Sequence, residues 1–181
     1  MDKPSRTTDD YLEDVRAQVP LYDQLQDAAV AAIPFAPETV LELGIGTGQT
    51  SKRLLERFPG ARITGLDSDP DMIFRARDLV EDVSLARMED PLPDGPWDLV
   101  VCVLSAHRLT NDQKQALCRR VRQHSRSFVL GDFVALETGE GRTQVEGTAY
   151  PETARGLAEW SGGEIAWQGD DLVVVAADYR E

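Results

Sequence analysis

The sequence predicts an α/β protein built on a mostly parallel sheet, and three observations carry that expectation. Val40-Leu41-Glu42-Leu43 is a short apolar run of buried-strand composition, followed by glycines at 44, 46 and 48, a helical pattern over 50–58 and a second strand over 62–66. The same alternation continues downstream, with strand-like runs at 83–86, 97–104 and 127–133 separated by turns and helical patterns. Runs at 164–167 and 172–177 then flank Gly169-Asp170-Asp171, which predicts a terminal antiparallel hairpin. At 181 residues, without internal repeats, the chain fits one domain with a substantial core.

Each element has its own local reason. Residues 1–8 are polar and expected to fray, while Thr8 with Asp9, Asp10 and Tyr11 caps a short helix to residue 18. Pro20 suits the first turn of a second helix, along which Leu21, Leu25, Ala28, Ala29 and Ala32 recur at helical spacing up to Ile33. In the helix over 50–58, Leu54, Leu55 and Phe58 share one side, and Pro59-Gly60 stops it. Ser68-Asp69-Pro70 opens a helix over 71–80 with Met72, Ile73 and Leu79 inward. The turn-rich segment 91–96 delivers the chain to 97–104, the most apolar run and therefore a central strand. Thr110 and Gln113 have the spacing of a capping box for a helix to residue 123, and Arg119, Arg120, Arg122 and Arg126 read as a solvated face. Segment 134–150 lacks periodicity and reads as a loop; Pro151 opens a helix to residue 160, which Ser161-Gly162-Gly163 ends.

The first unit carries the chemistry. In an open parallel sheet, ligands bind outside the carboxyl ends of the strands, and glycines there let the backbone turn tightly and approach a ligand. Asp67 ends the second strand, where a carboxylate can accept hydrogen bonds from both hydroxyls of a ribose, so the ligand reads as a nucleoside. A dinucleotide fingerprint needs its last glycine at position 49 or 51, occupied here by Gln49 and Ser51, and no Gly-Lys-Ser/Thr tripeptide follows for a P-loop. The stretch present is Glu42-Leu43-Gly44-Ile45-Gly46-Thr47-Gly48. It resembles motif I of the class I S-adenosylmethionine-dependent methyltransferases, and the resemblance extends over residues 20–178.

The resemblance implies a Rossmann-like three-layer sandwich whose seven-stranded, mostly parallel sheet closes with a C-terminal antiparallel hairpin strand. It divides the chain into an N-terminal helical cap (1–33), a cofactor-binding core (34–133), a short lid loop (134–150) and a C-terminal helix and hairpin (151–181). The implied cofactor is S-adenosylmethionine, held by Glu42, Gly44, Ile45, Gly46 and Gly48, by Asp67 at the ribose, and by Ser68 and Met72 against the adenine. Met72 reads equally well as ordinary core packing. Where relatives place an acidic and a small residue beside the adenine, this chain has Arg87-Met88-Glu89, leaving Met88 as a backbone donor and Glu89 as its neighbour. The run from Asp98 to Leu109 resembles the family's motif IV; it places Leu104 and Ser105 at the cofactor and His107 as the implied base, with Asp132, near the end of the next strand and bordering the substrate, as the second catalytic candidate. A lone histidine is also often a cap or a packed residue. Tyr11 and Tyr22 of the N-terminal helices, with Arg108 and Tyr150, are the implied substrate contacts, the tyrosines reading equally as helix-to-sheet packing.

Composition bounds the partners. With 32 acidic residues against 19 basic ones the net charge is −13, which argues against unaided binding to nucleic acid. No signal peptide is read at the start, and no apolar run approaches the roughly 18 residues that span a membrane. Cys102 and Cys118 make neither a disulfide framework nor a metal spacing, so buried reduced thiols, no metal and a cytoplasmic location are expected. The reaction implied is methyl transfer to a small-molecule acceptor by in-line displacement. Two other classes stay open: a protein that binds S-adenosylmethionine without ordinary methyl transfer, and a nicotinamide oxidoreductase, which Gln49 and Ser51 disfavour. The short lid leaves two arrangements: completion of the site by a second copy as a homodimer, or an open mouth for a bulky substrate. Acceptor identity resides in the lid and N-terminal helices, where nothing is diagnostic.

Overall fold

The computed structural model describes residues 7–136 and 152–180. Among these, seven strands form one sheet: β1 (Thr39–Leu43), β2 (Arg62–Asp67), β3 (Asp82–Leu85), β4 (Leu99–Val103), β5 (Ser127–Phe133), β6 (Glu164–Gly169) and β7 (Leu172–Asp178). Their order is β3-β2-β1-β4-β5-β7-β6; the first five run parallel, β7 is antiparallel to β5, and β6 is antiparallel to β7. This is the seven-stranded, mostly parallel α/β sheet that the sequence predicted, hairpin included.

Side-chain alternation along the strands builds two cores, one per face. Helices α1 (Thr8–Gln18), α2 (Tyr22–Ala31), α3 (Gln49–Arg57) and α4 (Pro70–Ala76) cover a core containing Leu25, Val40, Leu54, Ile73, Val101 and Val129. Helices α5 (Asn111–His124) and α6 (Ala154–Ser161) cover the other, containing Leu41, Leu43, Val100, Leu117, Phe128 and Val173. The central strand β4 is buried at all five positions. Burial raises the thiols of Cys102, far above its usual range, and of Cys118, to about 11; both are free and therefore inert. No described helix is long and apolar enough to cross a membrane.

Several boundaries differ from the sequence reading, each with a local cause. The Thr7 side chain caps α1 through the N–H of Asp10, and Pro20 stands in the turn before α2. α4 stops at Ala76, so Leu79 falls beyond it and is 40% exposed instead of inward. β4 starts at Leu99 because Asp98 is engaged elsewhere, accepting from the N–H groups of Glu38 at 2.9 Å and Thr39 at 3.3 Å. Of the arginines read as a solvated face, Arg119, Arg122 and Arg126 are exposed; Arg120 is half-buried and donates to the Met88 carbonyl at 2.6 Å, while Arg122 lies over the Tyr179 ring and Arg126 pairs with Asp98 at 3.1 Å. α6 begins at Ala154, capped by Thr153; Pro151 and most of the expected lid, including Tyr150, lie outside the described residues.

Candidate cofactor and acceptor site

The sheet's direction of growth reverses between β1 and β4, and the crevice outside the carboxyl ends of such a pair is where ligands of open α/β sheets bind. The glycine loop fills the β1 side. Gly44, Gly46 and Gly48 have φ of +68°, +56° and +81°, a region that side chains disfavour. At Gly44 there is also no room: a Cβ would stand 2.0 Å from the Ser105 hydroxyl oxygen. Gly48 is the N-cap of α3, which aims the helix's first N–H groups at the crevice. Ile45 donates its N–H to the Leu66 carbonyl at 2.9 Å and buries its side chain against Gly65, so only its backbone is left to face a ligand.

Asp67 ends β2 opposite this loop and fastens it. One carboxylate oxygen accepts the Gly46 N–H at 2.8 Å, the other the Asp69 N–H at 3.0 Å. Each oxygen has two lone pairs, so acceptor capacity remains for a diol. Beneath the loop Glu42 is 2% exposed and accepts from the Ser51 hydroxyl. Its burial pushes the carboxyl up to about 8, only partly offset by the hydroxyls of Ser51 and Thr50. Thr50 in turn donates to Gln26 at 2.7 Å, and Gln26 is bonded to Tyr22. Ser51 and Thr50 were not expected as functional residues; Ser51 was noticed only as a missing glycine.

The remaining cofactor candidates lie around the same edge. Ser68 is exposed and Met72 half-buried in the first turn of α4. Met88 is held by Arg120 at its carbonyl, while Glu89 is 4.0 Å from Arg87 on the exposed side. Tyr11 of α1 is half-buried; burial raises its pKa, and Arg108, Asp67, Arg75 and Asp69 are its electrostatic neighbours. Tyr11 therefore brings α1 near this edge of the sheet. Tyr22, 6% exposed and raised to about 12 by burial, packs inside next to Tyr11.

The chain leaves β4 by a sharp turn at Leu104, φ +53°, whose N–H donates to the Gly131 carbonyl at 2.8 Å. The Ser105 hydroxyl donates to the Gly44 carbonyl at 3.2 Å, joining this turn to the glycine loop. A single 3-10 turn (Ala106–Arg108) follows. There His107 and Asp132 are brought together: Nδ1 lies 2.7 Å from one carboxylate oxygen, and the other accepts the His107 backbone N–H at 2.8 Å. Both are buried, at 6% and 2% exposure, and with Ala106, Leu130, Leu157 and Lys114 they line a small void on the α5/α6 side of the sheet. Lys114, unforeseen from sequence, is 4% exposed; burial lowers its pKa while Asp132 and Glu152 oppose the shift. Arg108 alone of this turn is exposed.

A cavity of about 540 Å³ lies elsewhere, at the amino-terminal ends of β1, β2 and β3, lined by Thr39, Arg62, Thr64, Asp82 and Trp97 among others. It shares no residue with the glycine loop, and no feature there matches a nucleoside. The described residues contain no group of three metal-ligating side chains.

Comparison with known proteins gives a consistent lineage. A methyltransferase domain family matches residues 40–127. The chain is 30% identical over 139 residues to an uncharacterized methyltransferase of Geobacillus sp. (strain WCH70), covering 75% of this chain and 62% of that protein. It is 35% identical over 108 residues to a trans-aconitate 2-methyltransferase of Streptomyces avermitilis, covering 54% of this chain and 39% of that one. The chain thus spans less than two thirds of the length of these relatives. The crystal structure of human N-acetylserotonin methyltransferase in complex with SAM shares the fold at a TM-score of 0.70 and 17% identity, covering 96% of this chain and 56% of that one. With the strand order and the glycine loop at its switch point, residues 40–127 match a methyltransferase domain family, and the chain shares the fold of a methyltransferase solved with SAM.

Proposed function

We propose that the protein binds S-adenosylmethionine at the carboxyl edge of β1 and β2 and directs its methyl group to a small-molecule acceptor by in-line displacement. The observation that carries this reading is the bond between Asp67 and the Gly46 N–H, which joins the glycine loop and the ribose acid into one cradle beside the α3 N-terminus. Asp67 keeps lone pairs for the ribose hydroxyls, and Ser68, Met72 and Met88 flank the adenine. The loop's backbone and the buried Glu42 face the amino-acid end of the cofactor, and Leu104 and Ser105 border its reactive side. The bound sulfonium supplies an already electrophilic methyl carbon. The protein's main contribution is then to hold the acceptor in line, an effect worth up to about 7–11 kcal/mol.

His107 and Asp132 take a different part from the one the sequence suggested. Buried together on the α5/α6 side, they act as positioning residues: the doubly bonded Asp132 pins the 3-10 turn to β5 and so sets Ser105 and Arg108 at the mouth. Tyr11 and Arg108 meet the acceptor, and Tyr22 supports Tyr11 from inside. A cytoplasmic setting, in which both cysteines stay reduced, belongs to the same reading. So do the two arrangements expected from the short lid: completion of the site by a second copy, or an open mouth for a bulky acceptor.

Calorimetric titration with S-adenosylhomocysteine tests it. Micromolar binding is expected, weakened at least tenfold in Asp67→Ala, with no binding of a nicotinamide dinucleotide. Equal affinity in wild type and Asp67→Ala would overturn the assignment.

A further inference from the structure

The mouth of this site holds two arginines with no acidic partner among the described residues. Arg75, on α4, has one terminal guanidinium nitrogen, Nη1, that is buried and without a hydrogen-bond partner. A buried donor without an acceptor marks a place where a partner belongs. Arg108 is exposed on the turn after β4 and forms no ion pair with any described residue. Tyr11, on α1, lies within electrostatic reach of both. Elsewhere the arginines of the described chain are often matched: Arg53 with Asp23 and Asp27, Arg16 with Asp23, Arg126 with Asp98, Arg180 with Asp178. The two acids near Tyr11 are committed to backbone: Asp67 to Gly46 and Asp69, Asp69 to the N–H of Asp71.

We propose that the acceptor is a small organic acid whose carboxylate is held between Arg75 and Arg108, with Tyr11 closing over it. This deepens the methyl-transfer reading above and rests on it. A planar guanidinium matches a carboxylate's two oxygens and remains charged at every working pH, whereas a lysine would offer a single point charge. The chemistry suits a site whose only nearby histidine is buried. A carboxylate arrives ionised, so no base is needed. The oxygen lone pair not engaged by the arginines forms the bond to the methyl carbon while the methyl–sulfur bond breaks. A methyl ester and a neutral thioether result, and no proton is released.

The test uses the full chain saturated with S-adenosylhomocysteine and titrated with citrate as a generic carboxylate probe, with triethyl citrate as the uncharged control. The expected result is millimolar citrate binding, no binding of the ester, and at least tenfold weakening in both Arg75→Gln and Arg108→Gln, with partial recovery in Arg108→Lys. S-adenosylhomocysteine affinity stays within twofold in these variants. Arg108 is exposed, so its variants do not depend on the packing around Arg75. Citrate affinity that is absent, or equal in wild type and Arg108→Gln, overturns the proposal while cofactor binding stands. Loss of S-adenosylhomocysteine binding by the wild type would instead remove the reading beneath it.

Discussion

Glu42 sits at the centre of the cradle yet is sealed from water, and its protonation ties stability to pH. Its carboxyl is raised from 4.5 to about 8 by burial. The sign follows from proton counting: between those values the folded protein holds a proton that the unfolded chain has lost, so stability is greatest at or below the unfolded value and falls as pH rises toward 8. Glu42→Gln keeps an acceptor for Ser51 and removes the titration. The expected outcome is a urea midpoint that declines from pH 5 to pH 8 in the wild type and declines much less in the variant; identical slopes would show that other groups control the pH response. Glu42, the glycines and Asp67 were legible because they form one local motif with a strand before and an acid after. The His107–Asp132 pair was not. Its members are 25 residues apart and meet only because β4 and β5 pair with Val103 opposite Gly131. Arg75 was invisible for a related reason, since what singles it out is the lack of a partner beneath α1, a property of packing.

At the scale of elements, the start of α5 was legible and the stop of α4 was not. The N-cap of α5 carries a complete capping box, Thr110 accepting from the Gln113 N–H at 3.2 Å and Gln113 accepting from the Thr110 N–H at 2.8 Å, as its sequence spacing predicted. Thr110→Ala removes one of these acceptors, and about 1 kcal/mol of stability should go with it. Urea denaturation followed by circular dichroism measures this; an unchanged midpoint would mean that water replaces the hydroxyl at no cost. α4 shows the opposite case. Its helical pattern runs on to residue 80, but the helix ends at Ala76 and Leu79 is released to lie over Gly48. Apolar spacing registers which residues turn inward and carries little information on where hydrogen bonding ceases. The terminal hairpin was legible from its turn residues, while its bulge between Ile165 and Trp167 was not, because a bulge depends on cross-strand register.

For the whole molecule, sheet order predicts how stability and ligand response are distributed. β1, β4, β5 and β7 each have a strand on both sides, and helices cover both faces of the sheet. β3 and β6 are edges; only Val83 of β3 is buried, and no residue of β6 is. Backbone amides open most rarely where burial and pairing coincide. Hydrogen exchange in the free protein should therefore be slowest in β4 and β5 and fastest in β3 and β6. Adding S-adenosylhomocysteine should then slow exchange at residues 44–48, at the first turn of α4, at 104–108 and along α1, because the ligand fills the space these segments enclose. The cavity of about 540 Å³ at the opposite end of the strands makes the experiment discriminating, since its walls include residues 62–64 and 79–82. Protection of those walls, with the glycine loop and α1 unchanged, would move the ligand to the amino-terminal edge and detach the switch point from function. Protection of the glycine loop together with α1 would also establish that the N-terminal helices close over the cofactor, the arrangement on which the roles of Tyr11, Arg75 and Arg108 depend.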